Sequence, residues 1–153
     1  MDKKYLSLPW VGQFDVSPIQ KIVDTRRFQA SLNRTQTGFS NLIFRSANST
    51  RGAIELITWK ITKDHATRRL IEGDYISKEV AHNVNLISLL HDIGHGPFSH
   101  AIEFLTEINH EENGARLIEN DTELRKAIIG CGGDPQFMVD CLRKKCPNTF
   151  YIR

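Results

Sequence analysis

Residues 91–100, His-Asp-Ile-Gly-His-Gly-Pro-Phe-Ser-His, constrain this chain more than any other segment. They follow a stretch in which Val80, Val84 and Ile87 recur at helical spacing behind Ser77, a predicted N-cap with Val80 three residues on. The same face continues to His91, four residues past Ile87, so a helix is predicted to end with a histidine and an aspartate on its buried side. Burying such groups is costly unless they are hydrogen-bonded, ion-paired or bound to a metal. Gly94 and Gly96-Pro97 then interrupt the helix, and Pro97 or Phe98 is placed to open another, because proline is tolerated in a first turn.

The rest of the chain reads helical nearly throughout. Lys21 to Asn33 is rich in helix formers, and a Thr/Ser/Asn/Gly-rich, turn-prone stretch follows from Thr35 to Thr50. From Gly52 to about Ile71, Ile54, Ile57 and Ile61 recur at i, i+3 and i+7 as an amphipathic stripe, broken at Gly73-Asp74. Glu111 to Ile118, Thr122 to Ile129 and Pro135 to Lys145 predict three further helices around a Gly130–Asp134 loop. Asn41 to Phe44 reads as a short extended piece, and no convincing β-alternation is present. The prediction is a single all-α domain over residues 1–153, long enough to bury a real core.

Twenty Lys+Arg against 18 Asp+Glu leave a net charge of +2 with no block of one sign, so a nucleic-acid partner is not favoured. The N-terminus leads into no apolar signal region and no greasy stretch is long enough to span a bilayer, which predicts a cytoplasmic protein without a membrane partner. Cys131, Cys141 and Cys146 form an odd set with no Cys-x-x-Cys, read as idle thiols rather than a disulfide framework.

Four of the six histidines, His91, His95, His100 and His110, fall within twenty residues. Imidazole beside carboxylate suits a divalent transition metal. A helix opening near Pro97 would present free N–H groups to phosphate oxygens. His100 and Glu103, three apart on that helix, can meet on one face, where a carboxylate raises imidazole basicity for acid–base work. His65 and His82 carry no such signal.

Leu89-Leu90-His91-Asp92-Ile93-Gly94-His95-Gly96-Pro97-Phe98-Ser99-His100 resembles the signature of the HD-domain phosphohydrolases, in the branch of the deoxynucleoside triphosphate triphosphohydrolases (dGTPase-like). Asp24-Thr25 with Phe28-Gln29, then Gln36, Gly38 and Thr50-Arg51, match the upstream part of that branch, and His110-Glu111 with Gly114 its downstream element. The resemblance spans roughly residues 15 to 125. It implies the HD-domain helical fold, with His91 and Asp92 as metal ligands, and with His95, His100 and His110 around the α-phosphate. It further implies His100 with Glu103 as a catalytic pair, Arg51 on phosphate and Gln36 on the sugar. The implied cofactor is a divalent metal, Mn, Mg, Fe or Zn, and the implied reaction is hydrolysis of deoxynucleoside triphosphates to deoxynucleoside and triphosphate. Relatives assemble into oligomers, which leaves a homo-oligomer open here.

Two departures divide the expectation. Where the family has its first metal-binding histidine, three residues after the arginine matched by Arg51, this chain has Ile54, and His65 lies about 16 Å further along a continuous helix. The family's final aspartate ligand, several dozen residues beyond the His-Glu element, has no counterpart before Arg153, so the C-terminal helices of the fold are expected to be missing. One expectation is therefore a divergent or partial phosphohydrolase. The other is a catalytically degenerate HD-fold protein that binds a nucleotide or regulates a partner.

Overall fold

The computed structural model describes residues 3–9, 11–71, 77–96 and 109–145, with the side chains of residues 41, 70 and 71 left out. It opens on an antiparallel hairpin, β1 (Tyr5–Leu8) and β2 (Gly12–Asp15), registered Tyr5 to Asp15 and Leu8 to Gly12. A single 3-10 turn at Ser17–Ile19 leads into α1 (Gln20–Val23) and α2 (Arg26–Ser31). The short α3 (Ser40–Ile43) precedes the long α4 (Arg51–Ile71) and α5 (Lys78–Leu90). Three helices close the described chain: α6 (His110–Asn120), α7 (Thr122–Gly130) and α8 (Pro135–Leu142). α5 packs along α4, and α8 along α6.

Local chemistry sets most boundaries. The predicted Lys21–Asn33 helix is two helices, because Thr25 turns its hydroxyl to cap Phe28 N while donating to Ile22 O at 2.7 Å. Ser77 caps Val80 as predicted, and Asn109, Asp121 and Asp134 cap α6, α7 and α8 through their side-chain oxygens. The hairpin was not anticipated; its four-residue strands are too short for the alternation to register, and its turn uses Gly12 at φ 77°. Asn41 to Phe44, predicted extended, contributes to α3 instead.

The buried faces of the two central helices differ from the predicted ones. In α4 the inward positions are Arg51, Gly52, Glu55, Leu56 and Trp59, while Ile61 is exposed. The isoleucine stripe loses to a polar pair that finds partners inside, and Gly52 lets α4 lie against α2: a Cβ there would meet Ser31 Oγ at 2.7 Å and Leu32 N at 2.8 Å. In α5, Ala81, Leu86, Leu89 and Leu90 are buried, and Val80, Val84 and Ile87 only partly so. The His91 side chain is accordingly 44% exposed, and among the described histidines the deeply buried one is His95.

The core joins Phe14 of the hairpin and Val16 just after it, Ile19, Ile22 and Phe28, and the inward faces of the later helices. Arg143, just past α8, forks onto α6, with Nε 2.9 Å from Glu112 Oε2 and Nη1 2.6 Å from Glu119 Oε1. Cys131 is a free thiol as expected, whereas Cys141 is disulfide-bonded, which corrects the expectation of an idle thiol at that position. Chain spacing alone does not tell which thiols a fold brings together. Among the described residues no helix is long and apolar enough to cross a membrane.

Trp59 is 2% exposed and faces Phe14 at a ring-centroid distance of 6.4 Å, so it seats the hairpin on α4. Trp59→Ala is expected to cost about 3–5 kcal/mol in urea unfolding. A loss below about 1 kcal/mol would show that the site collapses around the smaller side chain.

Candidate metal centre

Asp92, at the exit of α5, distributes its two carboxylate oxygens between different partners. Oδ2 accepts from Arg51 Nη1 at 2.5 Å. Oδ1 faces the imidazoles, 3.4 Å from His91 Nε2 and 3.5 Å from His95 Nε2. Two ligand atoms each about 2.1 Å from a common ion lie roughly 3–3.5 Å apart, so Oδ1 and a neighbouring Nε2 have the spacing of a bound pair. His91 Nδ1 lies 2.9 Å from Ser88 O; a carbonyl accepts only, so Nδ1 is the donor there, and Nε2 is the nitrogen turned toward Asp92.

The stretch after α5 is a tight turn, with Ile93 N donating to Leu90 O and His95 N to Asp92 O, both at 3.1 Å. It brings His95 inside, 3% exposed, where its ring stacks on that of His110 with centroids 3.8 Å apart. His110 is the first residue of α6 because Asn109 caps Glu111 N and Glu112 N at 2.7 and 3.1 Å. Asp92, His95 and His110 each offer an atom within 4.8 Å of the others, a carboxylate and two imidazoles that suit a divalent cation.

Arg51 is 2% exposed and engaged with Asp92. Gln36 lies in the segment facing it: Gln36 N donates to Ser49 O at 2.9 Å and Arg51 N to Arg34 O at 2.8 Å, around an isolated Thr35–Thr50 bridge. The Gln36 Oε1 atom is buried without a hydrogen-bond partner. His100 and Glu103 lie outside the described residues, as does the helix start expected at Pro97 or Phe98.

Burial works to raise the Asp92 pKa, but the His95 imidazole and the charges of His91 and Arg51 outweigh it and hold the carboxyl down at about 2. Glu55, one turn after Arg51 on the same face, behaves oppositely. It is 1% exposed, burial pushes it up to about 7, the Ser31 hydroxyl at 2.8 Å opposes the rise, and the Asp92 charge adds to it. Its Oε1 is buried without a hydrogen-bond partner. Glu55 and Ser31 were not anticipated. The i, i+4 spacing from Arg51 to Glu55 is the signal the sequence offers for them.

Gly94 is where the turn meets α6. A Cβ there would lie 2.1 Å from His110 O and 2.3 Å from Gly114 N, both main-chain atoms. Gly94→Ala is therefore expected to push α6 away, costing about 1–3 kcal/mol in chemical denaturation. It is also expected to lower affinity for Mn²⁺ in a titration; unchanged values of both would mean that the crossing relaxes freely. Glu55 yields a pH prediction for the metal-free protein. Its folded pKa of about 7 lies above the ordinary 4.5, so its contribution is present in full below 4.5 and is lost as pH rises through 7. Between about pH 4 and pH 8 the parent should lose on the order of 3 kcal/mol relative to Glu55→Gln, from a shift of that size. Parallel stability profiles would mean that the carboxyl ionises inside without penalty.

Residues 58–131 match the family model described as HD domain. Uncharacterized protein YwfO of Bacillus subtilis is 30% identical over 134 residues, covering 85% of this chain and 30% of its own length. The deoxynucleoside triphosphate triphosphohydrolase SAMHD1 homolog of Dictyostelium discoideum is 32% identical over 90 residues, covering 56% of this chain and 17% of that protein. The crystal structure of a phosphohydrolase from Bacteroides thetaiotaomicron superimposes with a TM-score of 0.79 at 25% identity, covering 97% of this chain and 36% of that one. The chain thus spans about a third or less of the length of these proteins. Together these findings give the chain the HD-domain fold, with the family match confined to residues 58–131 and the superposition made on a phosphohydrolase.

Proposed function

We propose that the chain carries the metal- and phosphate-binding part of an HD phosphohydrolase that converts deoxynucleoside triphosphates to deoxynucleoside and triphosphate. The observation that carries the reading is the convergence of Asp92, His95 and His110 at the end of α5, with Asp92 kept ionised beside Arg51. The likeness to the Dictyostelium triphosphohydrolase homologue supports the choice of substrate class.

In this reading Asp92 Oδ1 and His91 Nε2 would hold a divalent ion, and the stacked His95 and His110, whose nitrogens converge on the same carboxylate, would complete its surroundings on the phosphate side. When bound there, such an ion would supply Lewis-acid polarisation of phosphoryl oxygen and would lower the pKa of a bound water. Arg51 fixes Asp92 through Oδ2 and leaves Oδ1 turned to the imidazoles. Gln36 Oε1, buried without a hydrogen-bond partner, is an acceptor for a sugar hydroxyl. His100 with Glu103 completes the proposal as the acid–base pair, by resemblance.

A second reading, a nucleotide-binding HD protein without turnover, is favoured by Ile54 alone. That half-buried side chain stands where the family has a ligand, in the first turn of α4. The test is a Mn²⁺ titration together with a dGTP and mixed-dNTP assay for triphosphate release. Binding and release in the parent, with both reduced about a hundredfold or more in Asp92→Asn, is the expected result. Saturable dNTP binding with no triphosphate would select the second reading, and neither binding nor release would overturn both.

A further inference from the structure

Just beyond α5, two successive backbone carbonyls are gripped by side chains from two different parts of the fold. Gly94 O accepts from Asn113 Nδ2 at 2.5 Å, and His95 O accepts from Arg34 Nη1 at 2.6 Å. Asn113 lies one turn into α6, three residues after His110. Arg34 lies between α2 and α4, and its own carbonyl takes Arg51 N at 2.8 Å. One residue therefore ties the turn to the start of α4, the helix whose Arg51 also holds Asp92. The other ties the same turn to the helix that carries His110.

We propose that Arg34 and Asn113 are positioning residues that clamp the Gly94–His95 turn, and so set the His95 and His110 imidazoles against Asp92. The inference rests on the reading of this cluster as a divalent-cation site. Turns outside a helix have no ladder of amides to fix their carbonyls, and here two planar donors take over that work from different elements. A guanidinium suits the task at His95, because its fork is rigid and it stays charged; burial lowers its pKa while the facing Glu55 raises it. Asn113 adds the tie that keeps α6 close enough for the 3.8 Å ring stack. Groups one step behind a metal ligand commonly alter affinity by about 10- to 100-fold when removed.

The experiment uses the full chain. Arg34→Ala and Arg34→Lys are made on a Glu55→Gln background, so that no buried carboxylate loses its cation, and Asn113→Ala is made on the parent. Imidazole ¹⁵N and ¹³C signals are recorded in metal-free protein, and Mn²⁺ affinity is measured by calorimetry. Arg34→Ala is expected to move the His95 ring signals and to weaken Mn²⁺ about tenfold or more relative to Glu55→Gln, with Arg34→Lys recovering part of both. Asn113→Ala is expected to move the His110 signals and to weaken Mn²⁺ likewise. Ring signals that stay in place, or Mn²⁺ affinity within twofold in a protein that binds the ion, would overturn the clamp. A parent that binds no Mn²⁺ would overturn the metal reading instead, and the metal-free ring signals would still decide the clamp.

Discussion

Asp92 Oδ2 accepts from Arg51 at 2.5 Å, and that contact joins the start of α4 to the end of α5. Both groups are largely removed from water, so each depends on the other: an unpaired charge in that position would be strongly unfavourable. With Oδ2 occupied, only Oδ1 remains to face His91 and His95. The pair thereby fixes which atom the site can present. It also explains why α4 turns Arg51 and Glu55 inward while leaving Ile61 in solvent.

A second constraint is the closeness of the turn after α5 to α6. Gly94 lies against the main chain at His110 and Gly114, a separation no side chain tolerates. That approach puts the His95 and His110 rings in contact. Arg143 forks onto Glu112 and Glu119 and holds α8 to the helix that His110 begins. The site is thus assembled from three places, α4, the α5 exit and the α6 start, each fixed to the next by polar contacts rather than by the apolar core alone.

Much of this was legible along the chain. Ser77, Asp134-Pro135 and the loop at 130–134 mark helix ends through local hydrogen bonding, and the structure keeps them close to their predicted positions. The histidine-rich segment reads as a site because polar residues at a helix end, followed by glycines, have few other solutions. The buried face of α4 differs from the isoleucine stripe because a neighbouring face carries Arg51 and Glu55 with partners inside, and in α5 the apolar face of Leu86, Leu89 and Leu90 is buried more deeply than that of Val80, Val84 and Ile87. Glu55 and Ser31 were missed because a carboxyl pushed up to about 7 is a property of its surroundings.

The sequence by itself determined the helical class, most helix boundaries, and the residues that carry the HD signature, because capping, turn chemistry and periodicity act over a few residues. Only the tertiary structure decided that His95 rather than His91 is the buried imidazole, that Arg51 spends its charge on Asp92, and that Arg34 and Asn113 reach the same turn. Those outcomes depend on which helix faces meet. That choice is made by packing across 61 residues in the case of Arg34 and His95, a separation over which no local pattern carries information.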